Sequence, residues 1–256
     1  MACSIGAGLS QSSVAAEEPD TAIVTIDWNQ LQLSVTGLNE TAPTVEFYNH
    51  NTSLSSYASS PDLDENNWKS VNNWTATANT NADAGTTYAN ASASPLSFSG
   101  TANSMEDGSS SSFGNRTVDF SFDGPGVLTV TVPYIISLTG DSSASGCYYC
   151  YNYDHASVSG YANFFSSVDN GNSSSYSDAS FSLNNLYGDP SAESQSGTLV
   201  FGIFANGAGS GSLGVNFDLS ASGVNPIPEP ESYAMLLAGL GLIILIVRRR
   251  SVKRDA

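Results

Sequence analysis

The sequence predicts an all-β protein, an antiparallel β-sandwich, with a single short transmembrane helix close to the C-terminus. Apolar and polar residues alternate in several segments with the period of two that is typical of strands. Gly, Ser and Asn fill the stretches between these segments, and no amphipathic helical pattern precedes Tyr233. A jelly roll is one form that such a sandwich takes. The length of 256 residues suits one main domain, since sandwiches of about 200–250 residues fold as single units.

The clearest strand patterns lie at residues 22–27, 117–123 and 127–138, where apolar side chains share one face. The sequence DGPG at residues 123–126 is typical of a turn, so we predict a hairpin between the second and third of these strands. A second hairpin is predicted from residues 198–205 and 212–221. Weaker strand patterns occur at residues 74–78, 87–91, 158–165 and 179–183.

Two low-complexity stretches separate these patterns. Residues 81–112 and 169–180 are rich in Ser, Asn, Gly, Ala and Asp. Because such a composition buries little apolar surface to offset the entropy of ordering, we predict long loops there, with only the weak strand near Thr87 inside the first.

The charge of the chain excludes one class of partner. The sequence has 24 acidic and 7 basic residues, and before residue 232 the only basic residues are Lys69 and Arg116, against 23 acidic ones. Nucleic acid binding depends on Lys and Arg side chains that neutralise phosphates, so we expect no nucleic acid partner. A solvated, soluble surface is expected instead, with association of divalent cations left open.

Residues able to form a catalytic site are scarce. The chain has two histidines, His50 and His155, and neither lies in a nucleophile, phosphate-loop or zinc-protease motif. We therefore predict that the protein is not an enzyme. A polysaccharide hydrolase remains an alternative, because two of the many carboxylates could approach one another as in glycosidases.

The C-terminal end combines an apolar run with a basic cluster. Residues 233–247 are an uncharged run of 15 residues, which as a helix would cover about 22 Å of a hydrocarbon core of about 30 Å. Arg248, Arg249 and Arg250 follow directly and should stay cytoplasmic. We predict a short transmembrane helix with a basic stop. A buried core helix is the alternative, but it has no need of a basic cluster on one side.

Three features in order carry a resemblance to a known family. Pro228, Glu229 and Pro230 stand before a short spacer, the apolar residues 234–242 and the arginine cluster. This order resembles the PEP-CTERM sorting signal of exported proteins of Gram-negative bacteria, over residues 225–256. The prolines favour an extended, exposed tether, which suits a protease substrate.

The resemblance implies a route and a partner. An exosortase, a membrane cysteine protease, would recognise Pro228, Glu229 and Pro230 and cut nearby. The precursor would be held transiently in the inner membrane, and the processed protein would reach the cell surface or the extracellular matrix. Association with exopolysaccharide is implied in the same way.

The N-terminus fits an exported protein. Residues 1–16 are small and mildly apolar, lack Lys and Arg, and end in VAA before two glutamates. We interpret them as the back half of a signal peptide whose start lies upstream, the alternative being a disordered tail. The expected organisation is a partial signal peptide at 1–16, an exported β-sandwich at 17–224 and the sorting signal at 225–256.

Cys147 and Cys150 form a C-x-x-C pair beside four tyrosines. A zinc site would need two further ligands, and only His155 is close. In an oxidising, exported setting we predict a local disulfide instead. The neighbouring tyrosines form either an aromatic platform for sugars or an ordinary edge strand; they are Tyr148, Tyr149, Tyr151 and Tyr153.

Residues 62–67, DLDENN, gather oxygen ligands of the kind that calcium prefers. They lack the glycine and the distal glutamate of an EF-hand loop, so we predict a solvated acidic loop and no bound cofactor, with calcium as the alternative.

Taken together, these observations predict a non-enzymatic surface or matrix protein. The main rival is a lectin-like module that binds carbohydrate or calcium, and the hydrolase comes third.

Overall fold

The computed structural model of the chain describes residues 19–38, 42–105, 108–140, 154–168, 171–185 and 191–223. These residues form two antiparallel sheets that pack face to face. Sheet A contains β1 (Asp20–Asp27), β2 (Gln32–Gly37), β5 (Ala78–Ala84), β6 (Thr87–Ala93), β7 (Ser97–Ser104), β9 (Gly126–Gly140) and β12 (Ser191–Ala205). Sheet B contains β3 (Val45–Ser60), β4 (Leu63–Val71), β8 (Ser109–Phe122), β10 (Asp154–Val168), β11 (Gly171–Asn185) and β13 (Gly209–Ser222).

The order of strands across each sheet differs from their order in the chain. Sheet A runs β12-β9-β1-β7-β6-β5, and β2 also pairs with β9; sheet B runs β11-β10-β13-β8-β3-β4. A 3-10 turn at Trp28–Gln30 joins β1 to β2. The β-sandwich prediction is thus confirmed. The described residues contain thirteen strands, more than the eight of a jelly roll.

Both predicted hairpins are wrong, although their strands are present. β8 lies in sheet B and β9 in sheet A, so the turn at 123–126 crosses from one sheet to the other. The same holds for β12 in sheet A and β13 in sheet B. Alternation shows that one face of a strand is buried, but both sheets of a sandwich bury one face, so the pattern does not identify the pairing partner.

The predicted long loops are also wrong. Residues 81–105 and 108–112 belong to β5, β6, β7, β8 and the described parts of their connections, and residues 171–180 lie in β11. Alternate positions in β5 and β6 are small side chains that are buried between the sheets; they are Ala78, Thr80, Ala82, Ala84, Thr87, Ala89, Ala91 and Ala93. We predicted loops because these stretches contain few large apolar residues. The physical requirement is an alternating buried face, which Ala and Thr meet where two backbones come close.

Of the other local predictions, some are confirmed and some are wrong. The weak strands at 87–91, 158–165 and 179–183 are confirmed within β6, β10 and β11. The weak strand predicted at 74–78 is wrong except at its last residue, since residues 74–76 form bends and β5 begins only at Ala78. The predicted acidic loop at 62–67 is instead a turn followed by the edge strand β4. Its many polar residues are compatible with a strand because every position of β4 except Val71 is exposed.

The core is built from the two inner faces, with Phe217 at its centre. The Phe217 side chain is fully buried, and its ring lies 4.8 Å from that of Phe98 between ring centroids. Gly114 of sheet B and Gly100 of sheet A both lie against the Phe217 ring, and a Cβ added at either would clash with it. The two glycines therefore create the space that the phenylalanine fills.

Replacing Gly114 by alanine is expected to destabilise the protein by about 1–3 kcal/mol, the usual cost of overpacking a core. The added Cβ would clash with the Phe217 ring and lie 2.7 Å from Cε2 of Phe98. Urea unfolding measures the loss. Gly124→Ala is the matched control, since its Cβ would meet only Pro43 at 3.8 Å. An unchanged midpoint for Gly114→Ala, or an equal loss for Gly124→Ala, would contradict this packing.

One cation lies inside the same core. The Arg116 side chain is fully buried, and its guanidinium carbon lies 4.5 Å from the Trp28 ring centroid and 5.1 Å from that of Phe98. Its Nη2 atom donates to the carbonyl oxygens of Trp74, at 3.2 Å, and of Ser94, at 3.0 Å. Nε and Nη1 have no hydrogen-bond partner among the described residues. Burial lowers the pKa of Arg116 to about 10.

Several predictions concern residues outside the described part of the chain. These are the partial signal peptide at 1–16, the apolar run at 233–247, the sorting residues Pro228, Glu229 and Pro230, the basic stop Arg248, Arg249 and Arg250, and the disulfide between Cys147 and Cys150, with its neighbouring tyrosines. All of them remain predictions of structure. Within the six described ranges, no helix has the length and apolar character needed to span a membrane.

Candidate functional site

The outer face of sheet B carries an open cleft of about 330 Å³. Four adjacent strands form it, β8, β13, β10 and β11, which follow one another directly in the sheet. Six of the side chains that line it are Phe113, Asn115, Tyr161, Tyr176, Asp178 and Asn216. The volume lies at the small end of the range of roughly 300–1,000 Å³ that is usual for ligand sites. We call it the sheet B cleft.

A polar row crosses the floor of the cleft. Strand register brings four side chains side by side on the four strands; they are Asn115, Asn216, Ser159 and Ser180. The Ser159 hydroxyl donates to Asn216 Oδ1 at 2.9 Å, which leaves the amide N–H groups of Asn216 for other partners. Asn115 Oδ1 is buried and has no hydrogen-bond partner in the described structure. The row is thus an incompletely paired set of amide and hydroxyl groups.

The Tyr161 ring lies beside this row, over the strand next to its own. It stands directly opposite Gly214 of β13, and a Cβ added at Gly214 would lie 2.7 Å from Tyr161 Cε1. The ring therefore occupies the space above the glycine backbone. Burial, with smaller contributions from Tyr176 and Asp119, raises the pKa of the Tyr161 hydroxyl, so it remains a neutral phenol at physiological pH.

Exposed aromatic rings surround the cleft. Tyr176 is 67% exposed and Phe113 is 37% exposed, and both line it. Trp68 of the edge strand β4 is 66% exposed, and it pairs with Ser55, which in turn pairs with Phe113, so all three side chains share the outer face. Large aromatic side chains exposed on one sheet face, beside unpaired amides, are characteristic of a binding surface.

The outer face of sheet B is negatively charged. Asp178 lines the cleft, Asp119 raises the pKa of Tyr161, and Asp218 lies opposite Phe113 on the same face. The described ranges contain two basic residues apart from histidine. Arg116 is buried, and Lys69 pairs with the core residue Leu54, so its side chain is directed to the inner side of the sheet. Neither cation offsets the carboxylates around the cleft.

A second, smaller cleft of about 250 Å³ lies on the outer face of sheet A. Leu96, Pro133 and Ile135 form its apolar part, and Thr25 and Asp27 its polar part. It has neither a row of amide side chains nor an exposed aromatic ring among its lining residues. The sheet B cleft is therefore the better candidate for a functional site.

The two histidines do not come together. His50 lies in β3 at the irregularity where Asn49 adopts a positive φ of 54°, and it packs edge-on against Trp74 at 5.0 Å between ring centroids. His155 lies in β10, where Nδ1 is 2.6 Å from Asn184 Oδ1. β13 and β8 separate the two strands. The two imidazoles therefore do not belong to a common site.

The acidic segment at 62–67 forms no cluster of metal ligands in the structure. Glu65 Oε2 accepts a hydrogen bond from the Asp83 backbone N–H at 2.7 Å, which ties β4 to β5 of the opposite sheet. Over the ranges that the structure describes, no three side chains of His, Cys, Asp or Glu are grouped as metal ligands.

Sequence reasoning missed the residues of the sheet B cleft. The segment 158–165 was predicted as a strand, and its alternation places Ser159, Tyr161, Asn163 and Phe165 on one face. No role was assigned to that face from the sequence. Tyr176, Asp178 and Ser180 come from a segment predicted as a loop and Asn216 from a predicted strand, while Phe113 and Asn115 lie between a predicted loop and a predicted strand. An excess of aromatic residues on the polar face of a strand is the signal that could have identified them.

Comparison with known proteins identifies the C-terminal tail. A family model described as the PEP-CTERM protein-sorting motif matches residues 226–250. The comparisons gave no match to a curated protein and none to a solved structure. The resemblance stated for Pro228, Glu229, Pro230 and the arginine cluster is thereby confirmed. Residues 226–250 match the PEP-CTERM protein-sorting motif, and this match supports the sorting of the chain for export through its C-terminal tail.

Proposed function

We propose that the protein is a non-enzymatic component of the cell surface or extracellular matrix that associates with exopolysaccharide through the sheet B cleft. The short apolar helix would hold the precursor in the inner membrane until exosortase cuts near Pro228, Glu229 and Pro230. The observation that carries the binding part of the proposal is the aromatic, amide-lined cleft on the outer face of sheet B.

The chemistry of the cleft suits a polyhydroxylated polymer. A sugar ring has apolar C–H faces and a rim of hydroxyl groups. Tyr161, Tyr176 and Phe113 provide flat apolar surfaces, and the polar row provides donors and acceptors. The open shape allows a chain to pass through without having an end inserted.

The described part of the cleft has too few carboxylates for the usual route of glycoside hydrolysis, which favours a binding role. Glycoside cleavage by the usual route needs two carboxyl groups about 5–10 Å apart on either side of the bond. Among the residues that the structure describes, Asp178 is the single acidic side chain that lines the cleft. This distribution supports the proposal that the protein is not an enzyme.

The test is binding of the purified exported protein to exopolysaccharide isolated from the producing cells. We expect co-sedimentation with the polymer that chelator does not abolish, and no release of reducing ends on prolonged incubation. Loss of binding on chelation, with recovery on adding calcium, would favour the calcium-dependent lectin. Release of reducing ends would favour the hydrolase, and absence of co-sedimentation would refute the proposed function.

Processing of the tail gives a separate prediction. The released protein is expected to lack the apolar run from Tyr233 onward, and Glu229→Ala is expected to retain the precursor in the membrane fraction. The reason is that an extended Pro-Glu-Pro tether offers its backbone to a protease, while Glu229 comes after β13, the last described strand, in the sequence. Mass spectrometry of the C-terminus measures both outcomes.

Glu193→Ala is a suitable control for the tail experiment, because Glu193 is an exposed carboxylate of β12 in the folded domain. Its release should match that of the unchanged protein. An intact C-terminus in secreted material, or normal release of Glu229→Ala, would show that recognition depends on other residues.

A further inference from the structure

We propose that the sheet B cleft selects uncharged polysaccharide, with one pyranose ring stacked on Tyr161 and with Gly214 as the positioning residue that keeps the tyrosine ring flat. This inference rests on the proposed association with exopolysaccharide. It adds the charge class of the ligand, the contact residue and the residue that orients it.

The first step concerns the stacking surface. Tyr161 of β10 and Gly214 of β13 are directly paired in the sheet. Any side chain at position 214 would point to the outer face and meet the tyrosine, since an added Cβ would lie 2.7 Å from Cε1 and 2.8 Å from Cζ. The ring thus lies over the backbone of β13 at Gly214. Because Tyr161 lines the cleft, the ring can be reached by a ligand from the outer side of the sheet.

The second step concerns the hydrogen-bonding groups beside this surface. Ser159 and Asn216 stand two residues from Tyr161 and Gly214 along the same two strands. Residues two apart on one face of a strand are about 7 Å from each other. The polar row is therefore within reach of the hydroxyl rim of a ring stacked on Tyr161. Amide groups both donate and accept, as sugar hydroxyls require.

The third step concerns charge. The titratable groups on this face near Tyr161 are the carboxylates of Asp119, Asp178 and Asp218 and the phenol of Tyr176. A uronate or sulfate group placed here would meet like charge, and neither Lys69 nor Arg116, the Lys and Arg residues of the described ranges, faces the cleft to pair with it. Juxtaposed like charges at an interface disfavour the wrong partner strongly. An uncharged ring has no such cost, and its hydroxyls can donate to the Asp178 carboxylate.

The test is affinity electrophoresis of the exported protein in gels that contain dextran, mannan or polygalacturonate, in buffer of physiological ionic strength. We expect a neutral polymer to retard the protein and polygalacturonate to leave its migration unchanged. Tyr161→Ala and Gly214→Ala should each weaken retardation by about tenfold or more, as expected for loss of an aromatic stacking contact.

Two controls separate stacking from folding. Tyr161→Phe keeps the ring and should bind the neutral polymer within about twofold of the unchanged protein. Tyr88→Ala removes a tyrosine that is 44% exposed on β6 of the opposite sheet, and it should have no effect on retardation. Melting temperatures are measured for all four variants. Gly214→Ala should retain its fold, because the clashing group is the end of one side chain at the surface.

The outcomes distinguish this inference from the proposed function. Retardation by a neutral polymer that survives both Tyr161→Ala and Gly214→Ala would overturn the inference alone, as would equal retardation by polygalacturonate. Failure to bind any of these polymers and the native exopolysaccharide would overturn the proposed function and the inference together. Loss of binding in both variants, with unchanged melting temperatures and with binding kept in Tyr161→Phe, would support the inference.

Discussion

Arg116→Ala is expected to lower the free energy of unfolding by about 3–5 kcal/mol, in the range found when a large core side chain is cut back to alanine. Arg116 is the largest fully buried side chain among the described residues, and its guanidinium packs against the rings of Trp28 and Phe98. Truncation leaves a cavity beneath these rings. It also removes the donor from the carbonyl oxygens of Trp74 and Ser94.

Arg116→Met is the matched comparison, because methionine is long enough to fill much of the same space without a charge. A buried cation carries a desolvation penalty, seen here in the lowering of the Arg116 pKa to about 10. Exchange of a buried charge for a well-packed apolar side chain is often neutral or stabilising. We therefore expect Arg116→Met to lose no more than about 1 kcal/mol.

Urea unfolding of the three proteins at neutral pH measures both effects. An alanine variant within about 1 kcal/mol of the unchanged protein would contradict the packing described for Arg116. A methionine variant as unstable as the alanine variant would show that the cation–π contacts and hydrogen bonds, and not the filled volume, provide the stability.

Asp154→Asn is expected to raise stability at pH 7 by up to about 3 kcal/mol and to leave it unchanged near pH 3.5, on the basis of about 1.4 kcal/mol for each unit of pKa. Asp154 begins β10 and is 7% exposed. Burial raises the pKa of its carboxyl to about 6, although the hydrogen bond from the Ser222 backbone N–H, at 2.9 Å, favours the charged form.

The direction in which the contribution of Asp154 to stability changes with pH follows from proton linkage. Since the folded pKa of Asp154 lies above its unfolded value of about 3.9, the folded state binds more protons between about pH 4 and pH 6. The contribution of this group to stability is therefore fully present below pH 4 and is lost as the pH rises through 6. Asparagine keeps an oxygen that accepts from Ser222 and has no charge to desolvate.

Urea unfolding of both proteins between pH 3.5 and pH 7 tests this prediction. The other carboxylates titrate in both, so the difference between the two curves isolates Asp154. The difference should grow between about pH 4 and pH 6 and then level off. A difference that is constant over this range would show that Asp154 has an ordinary pKa in the folded protein.

Local sequence patterns predicted some of the strands but not how the strands pair. Segments such as 127–138 and 198–205 were predicted correctly because large apolar residues alternate along them. β5 was missed and β6 gave only a weak strand pattern, because their buried positions hold Ala and Thr, which carry little hydrophobic signal. The pairing of β8 with β13, and of β9 with β12, could not be inferred. Each of these pairs joins segments that are far apart in the chain, whereas the turn sequences favoured hairpins between consecutive strands.

For the candidate site, too, the sequence predicted a strand but not the residues that lie beside it. Tyr161 lies in a strand that the sequence predicted, and its outward direction follows from alternation. Its neighbours in the cleft come from β8, β11 and β13, and register alone places Asn115 and Asn216 beside one another. No property of residue 161 in the sequence indicates that a glycine faces it across the sheet.

The sequence by itself determined the properties that are local or summed over the chain. The sorting motif is one contiguous segment whose order of proline, apolar and basic residues can be recognised without a fold, and the acidic charge is a matter of counting. Only the tertiary structure decided the cleft, the burial of Arg116 and the space that Gly114 leaves for Phe217. Each of these depends on which residues of distant strands meet, and in a sandwich that is decided by sheet pairing and register.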